Sequence, residues 1–476
     1  MTRSLHRNTT FDELAIGQTA RIERTVTAAD LYVFAHASGN TNPVHMPGAD
    51  VDKDGQDDAV APSLWVGSLV SSVLGTILPG AGTLYRGQTF RFLGRARLGD
   101  KLIVSVRCTE KRDAPVALFE TRVEKSDGSL ILEGMAEVEA PATTIVLQDQ
   151  QLPMLLVDQH DHFAPLVARC RENLPPMPTA VVCPDDENSL GGALLSQREG
   201  LIAPVFVGSR KRILKAAEAA GADISDIPLI DVEDHSEAAA KAVAMVNAKD
   251  VRALMKGNIH SDELLAQVVK RDGGLRTSRR ISHVFVMDVP TKDCLLFISD
   301  AAINIAPDLT TKIDIVQNAI DLAIACGLKQ PKVGVLAAVE TVNVNMPSTL
   351  DAAALAKMAD RGQIKGGIVD GPLAMDNAVD MQAARTKGIS SLVAGQADVL
   401  IVPNLEAGNM LAKELTFVAR AEASGLVTGA KCPIILTSRS DNDRARLASC
   451  ALAQLYDHWR QNGEALKDQP LSQAAE

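Results

Sequence analysis

The order of apolar patterns along these 476 residues predicts two architectures in succession, an α+β module and then a larger α/β module. Three observations carry that prediction. Up to about residue 147, helical patterns are followed by four runs of strand-like alternation, which is how an antiparallel sheet wrapped round a helix reads. After about residue 153, short apolar runs alternate with helical patterns, the mark of βα units. The composition is 46% hydrophobic but only 3% aromatic, so the core must come from Ala, Val, Ile and Leu, which suits helices packed on parallel strands.

Taken in order, Thr27-Ala28-Ala29-Asp30 is a capping-box variant that opens a helix over 31–37, which Ser38-Gly39 stops. Asn40-Thr41-Asn42-Pro43-Val44-His45 is a turn that delivers one histidine, and an apolar helix over 63–74 follows. Strands are predicted over 86–93, 101–111, 117–125 and 130–138, with turns at Gly99-Asp100 and Asp127-Gly128. The polar stretch 148–153 separates two differently patterned regions and marks the boundary, giving modules over 1–147 and 153–476.

Beyond it, strands over 179–183, 204–208 and 228–231 alternate with helices over 187–200, 210–220 and 236–249, implying a parallel sheet whose ligands sit beyond the strands' carboxyl ends. Polar residues follow apolar runs directly at Lys256-Gly257-Asn258, Ser299-Asp300-Ala301 and Asn404-Leu405-Glu406. Near the end, Ile434-Ile435-Leu436 gives way to Thr437-Ser438-Arg439-Ser440-Asp441-Asn442-Asp443 and then to a helix over 444–459. Strand, turn and helix N-terminus together welcome an anion, and Arg439 adds a bidentate fork for one. A solvated loop with an aspartate capping the helix is the alternative.

The net charge of −11 argues against general binding of nucleic acid, although Arg276-Thr277-Ser278-Arg279-Arg280 is a local basic cluster suited to a small phosphorylated ligand. Seven scattered cysteines with no C-x-x-C pair read as neither a zinc knuckle nor a disulfide framework, and point to reducing cytoplasm. No apolar h-region follows the basic N-terminus and no stretch is long enough for a membrane span. Neither G-x-x-x-x-G-K-[ST] nor G-x-G-x-x-G is present, which argues against a nucleotide-hydrolysing or dinucleotide enzyme.

Phe34-Ala35-x-x-Ser38-Gly39-Asn40-x-Asn42-Pro43-x-His45, with the later strand through Gly87-Gln88 and Phe90-Arg91-Phe92, resembles the MaoC-like family of hot-dog enoyl-CoA hydratases. The resemblance implies a hot-dog fold and a groove for CoA esters. In that family an aspartate and a histidine five residues on form the water-activating pair. Here the pair is Asn40 and His45, and Ala61-Pro62-Ser63-Leu64 stands where the family has A-H-G-M. A carboxamide takes up no proton at neutral pH, so the module reads either as a hydratase or as a scaffold that binds CoA esters or oligomerises.

The loops of the second module, in order, resemble the phosphate acetyl/butyryltransferase family, in wording closer to its butyryl branch. They are Lys256-Gly257 with Ser261, Ser299-Asp300-Ala301-Ala302-x-Asn304, Asp370-Gly371-Pro372-x-Ala374-x-Asp376-Asn377, Pro403-Asn404-x-Glu406-Ala407-Gly408-Asn409 and Thr437-Ser438-Arg439. This resemblance implies an isocitrate/isopropylmalate dehydrogenase-like fold of two α/β subdomains, one inserted over about 285–428. It implies acyl-CoA (acetyl-CoA or butyryl-CoA) plus phosphate giving acyl phosphate plus CoA, with no metal and no tightly bound cofactor, in a homo-oligomer, a dimer or a multiple of dimers.

The resemblance also assigns roles. Ser438 donates to the developing oxyanion, Arg439 neutralises the phosphate, and Asp443 is the favoured thiol base, with Asp441 and a helix-capping role as alternatives. Lys256, Ser261, Ser299, Asp300, Asn304, Asp376, Asn377, Glu406 and Asn409 are expected to bind substrate. The acetyl branch carries an arginine just after the Lys-Gly loop where this chain has Leu264-Leu265-Ala266, and Arg276 is expected to replace it. The function that follows is a phosphate acyltransferase fused to a MaoC-like domain, with a non-catalytic acyl-CoA sensor as the alternative.

Overall fold

In the computed structural model, which describes residues 5–48, 58–148, 161–436 and 442–467, the capping box forms as its spacing predicts. Asp30 N–H donates to Thr27 Oγ1 at 3.3 Å while Thr27 N–H donates to Asp30 Oδ2 at 3.1 Å. After β1 (Leu5–Arg7) and β2 (Thr19–Thr25), that box starts α1 (Ala28–Ser38), which ends on Gly39 in the left-handed region at φ 72°. Helix α2 (Ser63–Thr76) follows, then β3 (Leu84–Phe92), β4 (Lys101–Lys111), β5 (Val116–Lys125), β6 (Leu130–Glu139) and β7 (Val146–Gln148).

The chain divides into two compact units, Met1–Val157 and Asp158–Glu476. In the first, an antiparallel sheet of order β2-β4-β5-β6-β3 covers α2. Helix α2 buries Trp65, Val66, Val70, Val73 and Leu74 against Phe119, Leu132 and Val138 of the sheet. Gly67 lets the sheet come close, since a Cβ there would lie 2.7 Å from the Phe90 ring. This is the α+β layer that the helix-then-strands order predicts.

The second unit continues with α3 (Phe163–Asn173), β8 (Met177–Val182), α4 (Glu187–Arg198), β9 (Ile202–Gly208), α5 (Arg210–Ala219), β10 (Leu229–Asp231), α6 (His235–Ala248), β11 (Ala253–Lys256) and α7 (Ser261–Val268). Next come β12 (Ser282–Asp288), β13 (Leu296–Ser299), α8 (Leu309–Ala325), β14 (Lys332–Leu336), α9 (Pro347–Asp360), β15 (Ile368–Leu373), α10 (Met375–Val379) and α11 (Met381–Thr386). The last are β16 (Val399–Ile401), α12 (Leu405–Phe417), β17 (Glu422–Thr428), β18 (Ile434–Ile435) and α13 (Asp443–Asn462). Buried Ala and Leu side chains line much of α13, which packs on α3, α4 and the sheet.

Among the described residues, this unit's strands join one sheet of order β10-β9-β8-β11-β18-β17-β12-β13-β16-β14-β15. The expected parallel sheet is corrected here to a mixed one. Strand β12 pairs antiparallel with β13 and with β17, and β17 pairs antiparallel with β18. The connections 289–295 and 429–433 cause this, because a parallel crossover needs a dozen or more residues and these are shorter. The result is two parallel halves pointing in opposite directions, β8 to β11 with β18 on one side and β13 to β16 on the other.

Candidate active site

Because the halves oppose each other, the candidate loops fall on two edges of the sheet. Lys256 ends β11 on one edge. The register pairs Met255 with Ile435, so the residues that follow, Lys256 and Leu436, leave the sheet side by side. Ser438 and Arg439, with Asp441, lie outside the described residues. Ser299–Asn304 after β13, Asp376 and Asn377 after β15, and Glu406 and Asn409 in α12 after β16 lie on the opposite edge.

On the first edge the strand ends are closely packed. Gly257 and Asn258 N–H groups donate to the Val182 and Cys183 carbonyls at 2.8 and 2.7 Å, and a Cβ on Gly257 would sit 2.4 Å from the Cys183 oxygen. Lys256 Nζ donates to the Gly257 carbonyl at 3.2 Å, and Ser261 begins α7. Asp185, which was not singled out from the sequence, gathers this edge. Its buried carboxylate accepts from Asn258 Nδ2 at 2.9 Å and pairs with Arg212 Nε at 2.9 Å. The pattern that could have found it is the same one used elsewhere, a polar run (Pro184-Asp185-Asp186) between a strand and a helix. Burial pushes the neighbouring Cys183 thiol up to about 12, which keeps it protonated and unsuited to nucleophilic attack.

Helix α13 is capped by Asn442, whose side chain accepts from Ala445 N–H at 2.8 Å. Asp443 is therefore not the cap. It stands at the first helical position with a 77% exposed side chain, 3.6 Å from Arg446 Nη1, in the positive end of the helix dipole.

On the opposite edge, Asp300 is almost fully buried and is turned into its own loop. Its carboxylate accepts from the N–H groups of His283, Ala302, Ile303 and Asn304 at 2.9 to 3.2 Å, and from Asn304 Nδ2 at 2.6 Å. Ser299, fully buried, donates its hydroxyl to the His283 carbonyl at 2.9 Å. These hydrogen bonds of the two residues shape the loop. His283 is buried beside them against Phe285, and burial pulls its imidazole down to about 4, so the ring is neutral at neutral pH. Asn409 Nδ2 reaches the Ala301 carbonyl at 3.3 Å, tying α12 to the same loop.

Further along this edge, Lys387 Nζ lies 3.2 Å from Glu340 and 3.3 Å from Asp376. The Asn377 backbone N–H, and after it Lys387, hold the Asp376 carboxyl below the usual carboxylate range. The Asn377 side chain is buried beside Glu340 at 3.5 Å, and Glu406 is exposed in the first turn of α12.

Helix α7 connects the two edges. It begins at Ser261, five residues after Lys256, and its later turns (Leu265, Ala266, Val269) meet Ile281, Ile303 and Asn304. There a cavity of about 330 Å³ is lined also by Arg276, Arg279 and Arg280. The basic cluster read from the sequence thus folds into one pocket, with Asn304 opposite. At 1.5 Å per residue, the pocket's helical lining lies roughly 6 to 12 Å along α7 from Ser261.

In the first unit, His45 Nδ1 lies 2.6 Å from the Val60 carbonyl. A carbonyl only accepts, so Nδ1 carries the hydrogen and Nε2 is the basic nitrogen. Asn40 Oδ1 accepts from Asn42 N–H at 3.2 Å, which makes it part of the turn.

Comparison with known proteins accords with this division. Residues 233–454 match the family model "Phosphate acetyl/butaryl transferase", and residues 13–128 match "MaoC like domain". A phosphate acetyltransferase of Rhizobium meliloti is 55% identical over 298 residues, 63% of this chain and 94% of that protein. The chain belongs to the phosphate acetyl/butyryltransferase family. A phosphate butyryltransferase of Clostridium beijerinckii is 40% identical over 62% of this chain and 97% of its own length. Acetyl- and butyryltransferases thus both stand among its relatives. A branched-chain phosphotransacylase of Enterococcus faecalis has the same phosphotransacylase fold, with a TM-score of 0.52 and 29% identity over 59% of this chain and 99% of its own.

Proposed function

We propose that the second module transfers an acyl group between CoA and inorganic phosphate, and that the arginine cavity at the far end of α7 holds the phosphates of CoA. The observation that carries this is the separation just described. CoA bears its thiol and its phosphates at opposite ends of a flexible arm, and here three arginines line a cavity set roughly 6 to 12 Å along α7 from the helix start that follows Lys256. In that placement the thioester end lies toward the edge where Lys256 and Leu436 leave the sheet. A phosphate oxygen attacks the carbonyl carbon, the tetrahedral oxyanion takes a hydrogen bond from Ser438, and Arg439 offsets the phosphate charge. The oxyanion then collapses to the carbonyl, the C–S bond breaks, and the proton given up by the attacking hydrogen phosphate passes by way of Asp443 to the leaving thiolate. In reverse, Asp443 removes that proton. Lys256 and Ser261 line the same edge, and Asp376, Asn377, Glu406 and Asn409 complete the walls on the other.

Three finer readings follow. The mixed sheet with two opposed parallel halves supports an isocitrate/isopropylmalate dehydrogenase-like arrangement, with 285–428 as the inserted subdomain. Seven free cysteines support a cytoplasmic enzyme. Acetyl-CoA is the preferred ester on the strength of the relatives' identities.

The test is release of free thiol from acetyl-CoA and butyryl-CoA in phosphate. Arg276→Ala is expected to raise the KM for CoA about tenfold with kcat nearly unchanged, as removal of a charge-assisted contact made equally in ground and transition states does. CoA binding without any thiol release would replace the enzyme reading by that of an acyl-CoA sensor.

For the first module we favour a CoA-ester-binding role with hydration suppressed. His45 keeps a basic Nε2, but Asn40 supplies no proton. Asn40→Asp is expected to raise crotonyl-CoA hydration, followed by absorbance, by roughly 10² to 10⁴-fold. His45→Ala should abolish that gain. An active wild-type module that Asn40→Asp leaves unchanged would overturn the reading.

A further inference from the structure

Arg279 is a wall between two cavities. One face looks into the arginine cavity beside α7. The other looks into a second cavity of about 320 Å³ lined by Ser278, Asp321, Tyr456, Trp459 and Arg460 among others. On this side Arg279 Nη1 pairs with Asp321 Oδ2 at 2.5 Å, and Gln317 Nε2 donates to the other carboxylate oxygen at 2.9 Å. Tyr456 and Trp459 on α13 stack with ring centroids 5.9 Å apart and planes 24° apart. The Arg460 guanidinium lies 5.9 Å from the Tyr456 ring centre, and its Nη1 donates to the Lys431 carbonyl at 2.7 Å.

The lining divides into three kinds of chemistry. Arg279 and Arg460 are planar cations that match a phosphate, and each guanidinium carries five donors, more than the single contacts above consume. The half-buried Trp459 indole is a flat apolar wall suited to stacking. Asp321 and the carbonyl-rich end of α13 near Gly463 are acceptors, placed for an amino group. A volume of about 320 Å³ is that of a small-molecule site.

We propose that this cavity binds a nucleoside monophosphate bearing an exocyclic amino group, and that its occupancy weakens CoA binding because both ligands draw on Arg279. The phosphate pairs with Arg460 and Arg279, the base stacks on Trp459, and the amino group faces Asp321. When Arg279 turns to this phosphate it leaves the arginine cavity with two guanidiniums instead of three. Coupling of this kind is reciprocal, so CoA weakens the nucleotide by the same factor. The coupling rests on the reading of the arginine cavity as the site for CoA phosphates, whereas binding in the second cavity does not.

The experiment titrates AMP into the full chain and follows tryptophan fluorescence, since Trp459 and Trp65 are the two indoles. A saturable change is expected that is absent from Trp459→Phe, weakened tenfold or more in Arg460→Ala, and unmoved in Arg280→Ala, which touches the arginine cavity alone. Saturating AMP should raise the KM for CoA several-fold in the wild type and not in Arg460→Ala. No Trp459 response at millimolar AMP overturns the proposal. So does a response lost in Arg280→Ala but kept in Arg460→Ala, since AMP would then sit in the CoA cavity. An intact Trp459 signal with an unchanged KM overturns the coupling. Absence of thiol release altogether is a failure of the acyltransfer reading, and the fluorescence titration still reads the second cavity by itself.

Discussion

Replacing Asp300 by alanine is expected to lower the stability of the second unit by roughly 3 to 5 kcal/mol. The reason is the number of donors that converge on one buried carboxylate: four backbone N–H groups and the Asn304 amide. Alanine leaves each of them in a space closed to water, and a buried donor without a partner costs more than its hydrogen bond contributed. Asp300→Asn keeps one acceptor oxygen of the same size and should lose about half as much. Urea denaturation followed through Trp459 in a Trp65→Phe background measures the difference directly. A loss below about 1 kcal/mol would mean that the loop holds its shape without the carboxylate, and would return Asp300 to direct contact with substrate.

Ser438→Ala carries the largest expected effect on rate, a fall of about 10² to 10³-fold in kcat for thiol release with little change in KM. The hydroxyl is assigned to the oxyanion, a charge that exists only on the way to the products, so its removal touches the transition state and leaves the bound ester alone. Arg439→Lys offers the complementary measurement. Lysine keeps the charge but loses the bidentate fork, and the KM for phosphate should rise more than kcat falls. A Ser438→Ala enzyme within threefold of the wild type would move the oxyanion contact elsewhere, with Lys256 the first candidate.

How much of this was legible in the sequence depended on whether the signal was local. The Thr27–Asp30 box, the Gly39 stop and the strand-turn-strand order of the first unit are short-range patterns, and they fold as written. The basic run 276–280 was legible as a local cluster of charge because its arginines are close in sequence, and three of them line one cavity. Strand direction was not legible, because apolar runs such as 282–288 and 422–428 look alike whichever way they run. Only the brevity of the loops that join them to their neighbours carried that information. The roles of Ser299 and Asp300 were obscured for another reason. A serine and an aspartate after a strand look the same in sequence whether or not they hydrogen-bond their own backbone, and only the folded loop shows that they do. Asp185 and Asp321 were passed over because each finds its partner far along the chain, at Asn258 and Arg212 in one case and at Arg279 in the other.

Helix α7 also acts as a ruler. Its length is fixed covalently by the stretch Ser261–Val268, and it spans from the guanidiniums at one end to Lys256 at the other. In the proposed placement of CoA that span is the same for every thioester, because acetyl-CoA and butyryl-CoA are identical from the nucleotide to the sulfur. The choice of acyl group in that placement falls to residues beyond the ruler's end, Leu436 first among them. Substitutions there are expected to change which ester is used while leaving the affinity for free CoA alone, and those at the arginine end to do the reverse.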